Sequence, residues 1–330
     1  MRLTLRQLQI FQAVAQAGGT AAAANALPLS QSATSTALGE LERTLGAPLF
    51  DRIGKRLMIN DFGRSVLPMA LAMLDNARTV EGALHSRSLG LSHVRLFAST
   101  TIGNHILPTL LAQYRDIAPV ARLDVRIGNT SEALLAVAEF SADLGLIEGP
   151  CHGSDLAVHP WLEDELLIVA CPTHPLARES TRHRLTLQQL REAPWLLREP
   201  GSGTRESVEL ALLPHLRHIE PIITLGSSES IKNAVAQGLG ISCLSRAVVH
   251  EYVSDRRLTA LESDLPPLLR RFALISHRNK VLSAPLNAFM DFCQRHTTWP
   301  AMADGMHDRT SAIGPRSGNR VRGKKRGGHG

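Results

Sequence analysis

The stretch Ser30–Phe50, SQSATSTALGELERTLGAPLF, decides how this chain is read. It opens with short hydroxyl and amide side chains at helical spacing and ends in a Gly-Ala-Pro break before Asp51 and Arg52. Small polar residues are mediocre helix formers and add little to a core. Their concentration on one helix points to a surface chosen for contact rather than stability. Ser30 is placed to cap this helix and Gly46 to end it, with Ala33, Ala37, Leu38 and Leu41 expected to face inward. Gln31, Ser32, Ser35 and Thr36 are left for the outer face.

Upstream, Leu5, Leu8, Ile10, Phe11 and Val14 recur at helical spacing behind a capping Thr4, and Gly18 and Gly19 end that helix. Thr20 is expected to cap a second helix over Ala21–Leu27, closed by Pro28. Three helices before residue 46, the last two joined by a very short turn, fit a helix-turn-helix. Downstream, LFDRIGKRLMIN (49–60) predicts a hairpin carrying Arg52, Lys55 and Arg56, which would be a basic wing. Short side chains let a helix sit deep in a major groove about 12 Å wide, where glutamine pairs with an adenine edge and hydroxyls with either edge. The wing cations suit backbone phosphates or a minor groove. Taken alone, the pattern fits a small helical domain with a solvated polar face better than a DNA reader, and the basic hairpin moves the balance toward DNA.

From Asp61 to about Leu89 the period stays helical, with Phe62, Val66, Met69, Met73, Val80 and Leu84 as an apolar stripe and Pro68 near its start. A helix this long cannot bury itself against a 60-residue unit, so pairing with a second copy is its natural use. Beyond it, strand and helix alternate. Strands are expected at 92–98, 121–128, 143–147, 165–172, 194–200, 221–226, 240–245 and 271–277. Helices are expected around Ile106–Leu111, at Ser131–Phe140, from Gly203, at Ser230–Gln237 and at Leu282–His296. This is an α/β pattern with a mostly parallel sheet in two lobes, the chain crossing between them near 160–165 and 265–272.

The formal net charge of +6 is uneven. Residues 1–65 hold seven Arg/Lys against four Asp/Glu, and residues 301–330 seven against two, so the large middle is slightly acidic. Attraction to nucleic acid therefore belongs to the two ends. Residues 297–330, rich in Gly, Arg and Lys, read as a disordered basic tail. Four scattered cysteines with no C-x-x-C imply a reducing compartment, and no segment has the roughly 18 apolar residues of a membrane span. The expected setting is the cytoplasm, with no membrane partner. No H-E-x-x-H, G-x-S-x-G or dinucleotide fingerprint occurs, and no metal spacing. We expect no enzyme activity, catalytic residue, metal site or cofactor.

The words LRQLQIFQAVAQAGGTAAAANAL, SQSATSTALGELERTLGAPLFDR and NDFGRSVLP closely resemble the LysR family of bacterial transcriptional regulators. The resemblance covers roughly the first 295 residues. It implies an N-terminal all-α winged helix-turn-helix, a long linker helix and a two-lobed α/β effector domain like the periplasmic binding proteins. The boundaries expected are 1–60 for the DNA-binding domain and 61–90 for the linker and dimerisation helix. Residues 91–163 form the first lobe, 164–267 the second, 268–296 the return to the first, and 297–330 the tail. The resemblance also implies a homo-oligomer, dimer or tetramer, on double-stranded promoter DNA, in contact with RNA polymerase and answering a small-molecule coinducer. Gln31, Ser32, Ser35 and Thr36 fall at recognition-helix positions and Arg52 at the wing arginine. Thr36 departs from the family, whose members often carry a long side chain there.

In such a domain ligands lie beyond the carboxyl ends of strands. Ser99, Thr100 and Thr101 end the first strand ahead of a helix, where hydroxyls and free N–H groups suit an anion, although a simple helix cap is as good a reading. Gly128 and Asn129 offer another wall. REPGSGTR (198–205) contributes Gly201, Ser202, Gly203, Thr204 and Arg205, the last in a helix first turn where its charge gains nothing from the dipole. An anionic partner explains Arg205; so does an internal glutamate. A small carboxylate or inorganic oxyanion is the preferred ligand class, with Glu148 as the residue that argues against it. Two rival readings remain: a small-molecule-binding protein whose N-terminal domain mainly oligomerises, and a weakly specific DNA binder driven by its tail.

Overall fold

The computed structural model describes residues 3–54, 56–89 and 92–296. At the N-terminus, α1 (Leu5–Ala17) opens with a capping box in which Thr4 and Gln7 satisfy each other's backbone N–H groups. Helix α2 spans Thr20–Ala26 and α3 spans Gln31–Leu45. Thr20 begins α2 rather than capping it: Gly19 holds the cap position, and no side chain bonds there. Ser30 caps α3 through Ala33 N–H at 3.2 Å, and Gly46 ends it in the left-handed region. Leu8, Phe11, Val14, Ala23, Leu38 and Leu41 form one core with Leu49 and Phe50.

Strands β1 (Phe50–Ile53) and β2 (Arg56–Ile59) pair antiparallel, giving the hairpin. Helix α4 runs Asp61–Leu89 with Pro68 inside it. It has two apolar faces. Ala70, Leu71 and Leu74 are buried, Ala70 and Leu74 within the N-terminal core, whereas Phe62, Met69, Met73 and Val80 stand exposed along another face. Leu84 and the tail from residue 297 lie outside the described side chains.

The rest builds on β3 (Ser92–Ser99), β4 (Ala121–Gly128) and β5 (Leu144–Glu148), parallel to one another, with α5 (Leu107–Ile117), α6 (Thr130–Ala138) and α12 (Ala284–Arg295) around them. A π-helical turn, Ile102–Ile106, joins β3 to α5. Tyr114 of α5 meets Phe289 and Phe292 of α12 edge-on or tilted at 5.0 and 5.1 Å, closing this lobe's core.

Two strands cross to the second lobe: β6 (Leu156–Ala170) and β11 (Leu268–His277), paired antiparallel along most of their length. The expectation of a mostly parallel sheet is corrected here. A chain that leaves a lobe and returns must run both ways through the junction, so the seven-stranded sheet is mixed. The strand expected at 165–172 is the second half of a single 15-residue strand. The second lobe also holds α7 (Pro175–Ser180), α8 (Leu187–Arg191), β7 (Trp195–Arg198), α9 (Gly203–Leu216), β8 (Pro221–Leu225), α10 (Ser228–Ala236), β9 (Ser242–Ser245), α11 (Arg246–Ser254) and β10 (Thr259–Ala260). Trp195 and Val208 are packed in its core.

Candidate DNA-reading face and interlobe cleft

On α3, Gln31, Ser32, Ser35 and Thr36 are all exposed, side by side at the N-terminal end. Ala33 joins them outside, contrary to expectation. Thr34 takes the inward place with no exposure, its Oγ1 donating to Ser30 O at 3.0 Å so that the buried hydroxyl is satisfied. Arg52 and Arg56 project into solvent from the two strands of the hairpin; Lys55 lies outside the described residues.

In the effector domain, the ends of β3 and β5 meet the loop after β7. Gly203 opens α9 where a Cβ would lie 1.8 Å from Glu148 O, so only glycine allows the lobes to approach this closely. Thr130 Oγ1 donates to Glu148 O at 3.0 Å, and Ser131 N–H donates across the cleft to Gly201 O at 3.1 Å. Gly128 and Asn129 form the rim on this side. Asn129 caps α6 with Glu132 as reciprocal partner, a capping box slightly earlier than the Ser131 start expected.

Arg198 sits at the centre, with 1% of its side chain exposed. Its Nη1 donates to Thr100 Oγ1 of the first lobe at 2.8 Å and to Ser228 Oγ of the second at 2.9 Å. Glu199 takes the other edge of the guanidinium, accepting from Nε at 2.7 Å and Nη2 at 2.8 Å. Ser99 and Thr101, on either side of Thr100, are fully buried, and their hydroxyls have no hydrogen-bond partner among the described residues. The simple-cap reading, Ser99 or Thr100 on the following helix, finds no bond: Ser99 Oγ has no partner among the described residues and Thr100 Oγ1 accepts from Arg198. Further along, His105 Nε2 lies 2.8 Å from Glu229 Oε1, and Lys232 Nζ lies 2.8 Å from Glu229 Oε2. Burial outweighs the nearby carboxylate and holds the His105 imidazole below its usual pKa.

The REPGSGTR residues divide. Gly201 adopts a left-handed φ of 87°, Ser202 is buried and caps α9, and Thr204 is buried and accepts from Arg270 Nη1 at 3.1 Å. Arg205 bonds Glu209, one turn along α9, and donates to Arg198 O at 3.1 Å. It is thus committed within its own helix and loop, and the internal glutamate explains it. The buried arginine that bonds a hydroxyl from each lobe is Arg198, which sequence reasoning passed over. Its signal was available: an arginine closing an otherwise apolar strand, PWLLR, directly before the glycine loop.

Glu148 is no free negative charge in the cleft. Its carboxylate lies 3.1 Å from Arg270 Nη2, while Arg270 Nε donates to Asp164 Oδ2 at 2.7 Å and Ser245 donates to Asp164 Oδ1 at 2.8 Å. This buried cluster ties β5, both crossing strands, α9 and β9 at the junction. Burial pushes the Asp164 carboxyl up in spite of Arg270.

A winged helix-turn-helix joined by a long helix to a two-lobed α/β unit defines a ligand-responsive DNA-binding regulator. The family profile "Bacterial regulatory helix-turn-helix protein, lysR family" matches residues 5–64, and "LysR substrate binding domain" matches residues 89–298. The chain is 47% identical over 293 residues, 89% of this chain and 98% of the other, to the uncharacterized HTH-type transcriptional regulator YeiE of Escherichia coli (strain K12). A full-length variant of OxyR from Pseudomonas aeruginosa superposes with a TM-score of 0.65 at 20% identity, covering 89% of this chain and 94% of that one. The CcmR regulatory domain of Synechocystis PCC6803, in complex with 2-PG, superposes with a TM-score of 0.57 at 28% identity, covering 63% of this chain and 98% of that one. The chain belongs to the LysR family of transcriptional regulators, proteins that bind DNA, carry an effector-binding domain and are not enzymes. No helix among the described residues is long and apolar enough to cross a membrane.

Proposed function

We propose that this regulator reads promoter DNA in the cytoplasm as a homo-oligomer and answers a small oxyanion, carboxylate or inorganic, held between its lobes. The observation that carries the ligand class is Arg198, a buried guanidinium bonded to one hydroxyl from each lobe, Thr100 and Ser228; Ser99 and Thr101, the chain neighbours of Thr100, carry buried hydroxyls with no partner among the described residues. Buried polar groups are nearly always paired, and hydroxyls around a cation suit an anion's oxygens. Asn129, Gly201 and Ser202 line the approach. Arg205 acts by steadying the Arg198 loop.

Gln31, Ser32, Ser35 and Thr36 would read base edges, with Arg52, Lys55 and Arg56 on phosphates. The exposed face of α4 would pair two copies, placing two reading helices on one duplex. Lobe movement on ligand binding would then change the spacing of those helices and the contact with RNA polymerase. The proposed division into reading head (1–60), linker helix (61–90) and lobes follows from these roles.

Footprinting on the promoter regions beside its own gene, with and without acetate, oxalate, sulfate or phosphate at constant ionic strength, tests the scheme. Protection of two half-sites whose spacing changes with one of these anions is expected. Protection that no anion alters, together with no thermal stabilisation by any of them, would overturn the ligand class.

A further inference from the structure

Neighbouring residues of a strand point to opposite faces, so Arg198 and Glu199 should not meet. They do because β7 ends at Arg198 and the chain turns at once through Glu199, Pro200 and Gly201, bringing the carboxylate round onto the guanidinium. Glu199 covers the Nε and Nη2 edge in a two-bond fork, the geometry by which arginine recognises a carboxylate or oxyanion ligand. Its Oε1 also lies 3.5 Å from Asn129 Nδ2, on the first lobe. The carboxylate thus occupies an anion's position between the lobes, with a guanidinium on one side and an amide donor on the other. It keeps about a quarter of its side chain exposed, so it has somewhere to go.

We propose that Glu199 is a built-in competitor for the effector: it neutralises Arg198 when no ligand is bound, and an incoming oxyanion takes the guanidinium edge by displacing it. This rests on the anion reading of the cleft and adds to it a residue that sets the response threshold. A tethered carboxylate competes at a high effective concentration, so the site ignores weakly binding anions at low concentration. The displaced carboxylate loses its contact with Asn129, and that loss carries ligand occupancy to the first lobe. Next to Ser228, Glu229 is itself held between His105 and Lys232.

The test titrates sulfate and, separately, acetate into the full chain and its Glu199→Gln variant by calorimetry, with sodium chloride at matched ionic strength as the control. Gln keeps the size and one acceptor but removes the competing charge. The variant is expected to bind one of these anions at least about tenfold more tightly than the natural chain, and to gain more in melting temperature on adding it. The sulfate and acetate arms separate an inorganic from a carboxylate ligand. Because Arg198 is buried, the variant's own melting temperature should fall without anion; a Glu199→Asp variant, which keeps the charge on a shorter stem, should bind with intermediate affinity and keeps the test open if Glu199→Gln folds poorly. Equal or weaker binding by the variants, where the natural chain binds, would overturn the competitor role and make Glu199 a support for Arg198. Binding by neither protein would overturn the anion reading itself.

Discussion

Asp75 on the linker helix places Oδ2 2.6 Å from Lys280 Nζ of the first effector lobe, and both side chains are almost wholly buried. Asp75 Oδ1 lies 2.9 Å from Arg95 Nη2, and Asp143 meets both cations, Lys280 at 2.9 Å. Two carboxylates and two cations, contributed by α4, β3 and the segments after α6 and β11, thus close a neutral network between linker and sensor lobe. Burial opposes the charge on Asp143, but the Arg95 hydrogen bond and Lys280 hold its carboxyl below the usual range.

Breaking one partner of such a pair strands the other's charge. Asp75→Asn is expected to weaken docking of α4 on the lobe by about 3 kcal/mol, the lower end for a buried pair because Asp143 still faces Lys280. Hydrogen exchange of the α4 amides across residues 70–78 should quicken by roughly 100-fold. Unchanged exchange would mean that the network contributes nothing to docking.

The two proposed kinds of DNA contact, base reading by Gln31 and phosphate binding by Arg52, separate by what each variant loses. Gln31→Ala should cost roughly 1–3 kcal/mol of discrimination at one base pair while leaving affinity for scrambled duplex nearly intact. Arg52→Ala should weaken binding to all sequences alike and lower the slope of log affinity against log salt by about one. Competition binding at several salt concentrations measures both. An equal loss on specific and scrambled DNA for Gln31→Ala would remove it from the base-reading set.

Phe62, Met69, Met73 and Val80 fall on one exposed face because their spacings of seven, four and seven residues return to the same angle on a helix. A Met69→Glu, Met73→Glu double variant puts two charges on that face without touching Ala70, Leu71 or Leu74 in the core. Sedimentation should show a smaller species of unaltered helical content, with DNA affinity reduced at least tenfold as paired half-sites are lost. An oligomer of the natural size would place the pairing surface elsewhere.

How far the sequence could be read depended on how local the information was. Caps, breaks and periods are local, so Thr4, Ser30, Gly46 and the hairpin at 50–59 were legible, and α3 with them. On α3 Leu38 and Leu41 face inward as expected, but Thr34 replaces Ala33 there: it looks polar, yet its hydroxyl is satisfied by Ser30 O and its methyl can face the core. The antiparallel crossing of β6 and β11 pairs residues about a hundred positions apart, and nothing local records that. Arg205 drew attention by its position at a helix start, whereas Arg198 gains its role from Thr100 and Ser228, which only folding brings together.

The pH dependence of stability should carry the mark of three histidines. Burial is the largest influence on His105, His174 and His277, and holds each imidazole below the ordinary 6.5. Glu229 and Glu251 pull His105 the other way while Lys232 reinforces the shift; Asp155 and Asp75 oppose it at His277, where Lys280 reinforces it. In the window between the lowered and ordinary values the unfolded chain binds more protons than the folded one. Their stabilising effect is therefore complete above the ordinary value and is lost as pH falls below it. Asp164, raised by burial, works in the opposite sense, losing its contribution as pH rises. A single substitution isolates the histidine part. His277 Nδ1 accepts the Asn279 N–H at 3.0 Å, a role that an asparagine oxygen can fill. The urea midpoint of the natural chain should drop between pH 7.5 and 5.5, and His277→Asn should drop less over the same interval. A variant with the same slope as the natural chain would show that His277 titrates in the folded protein as it does in the unfolded one.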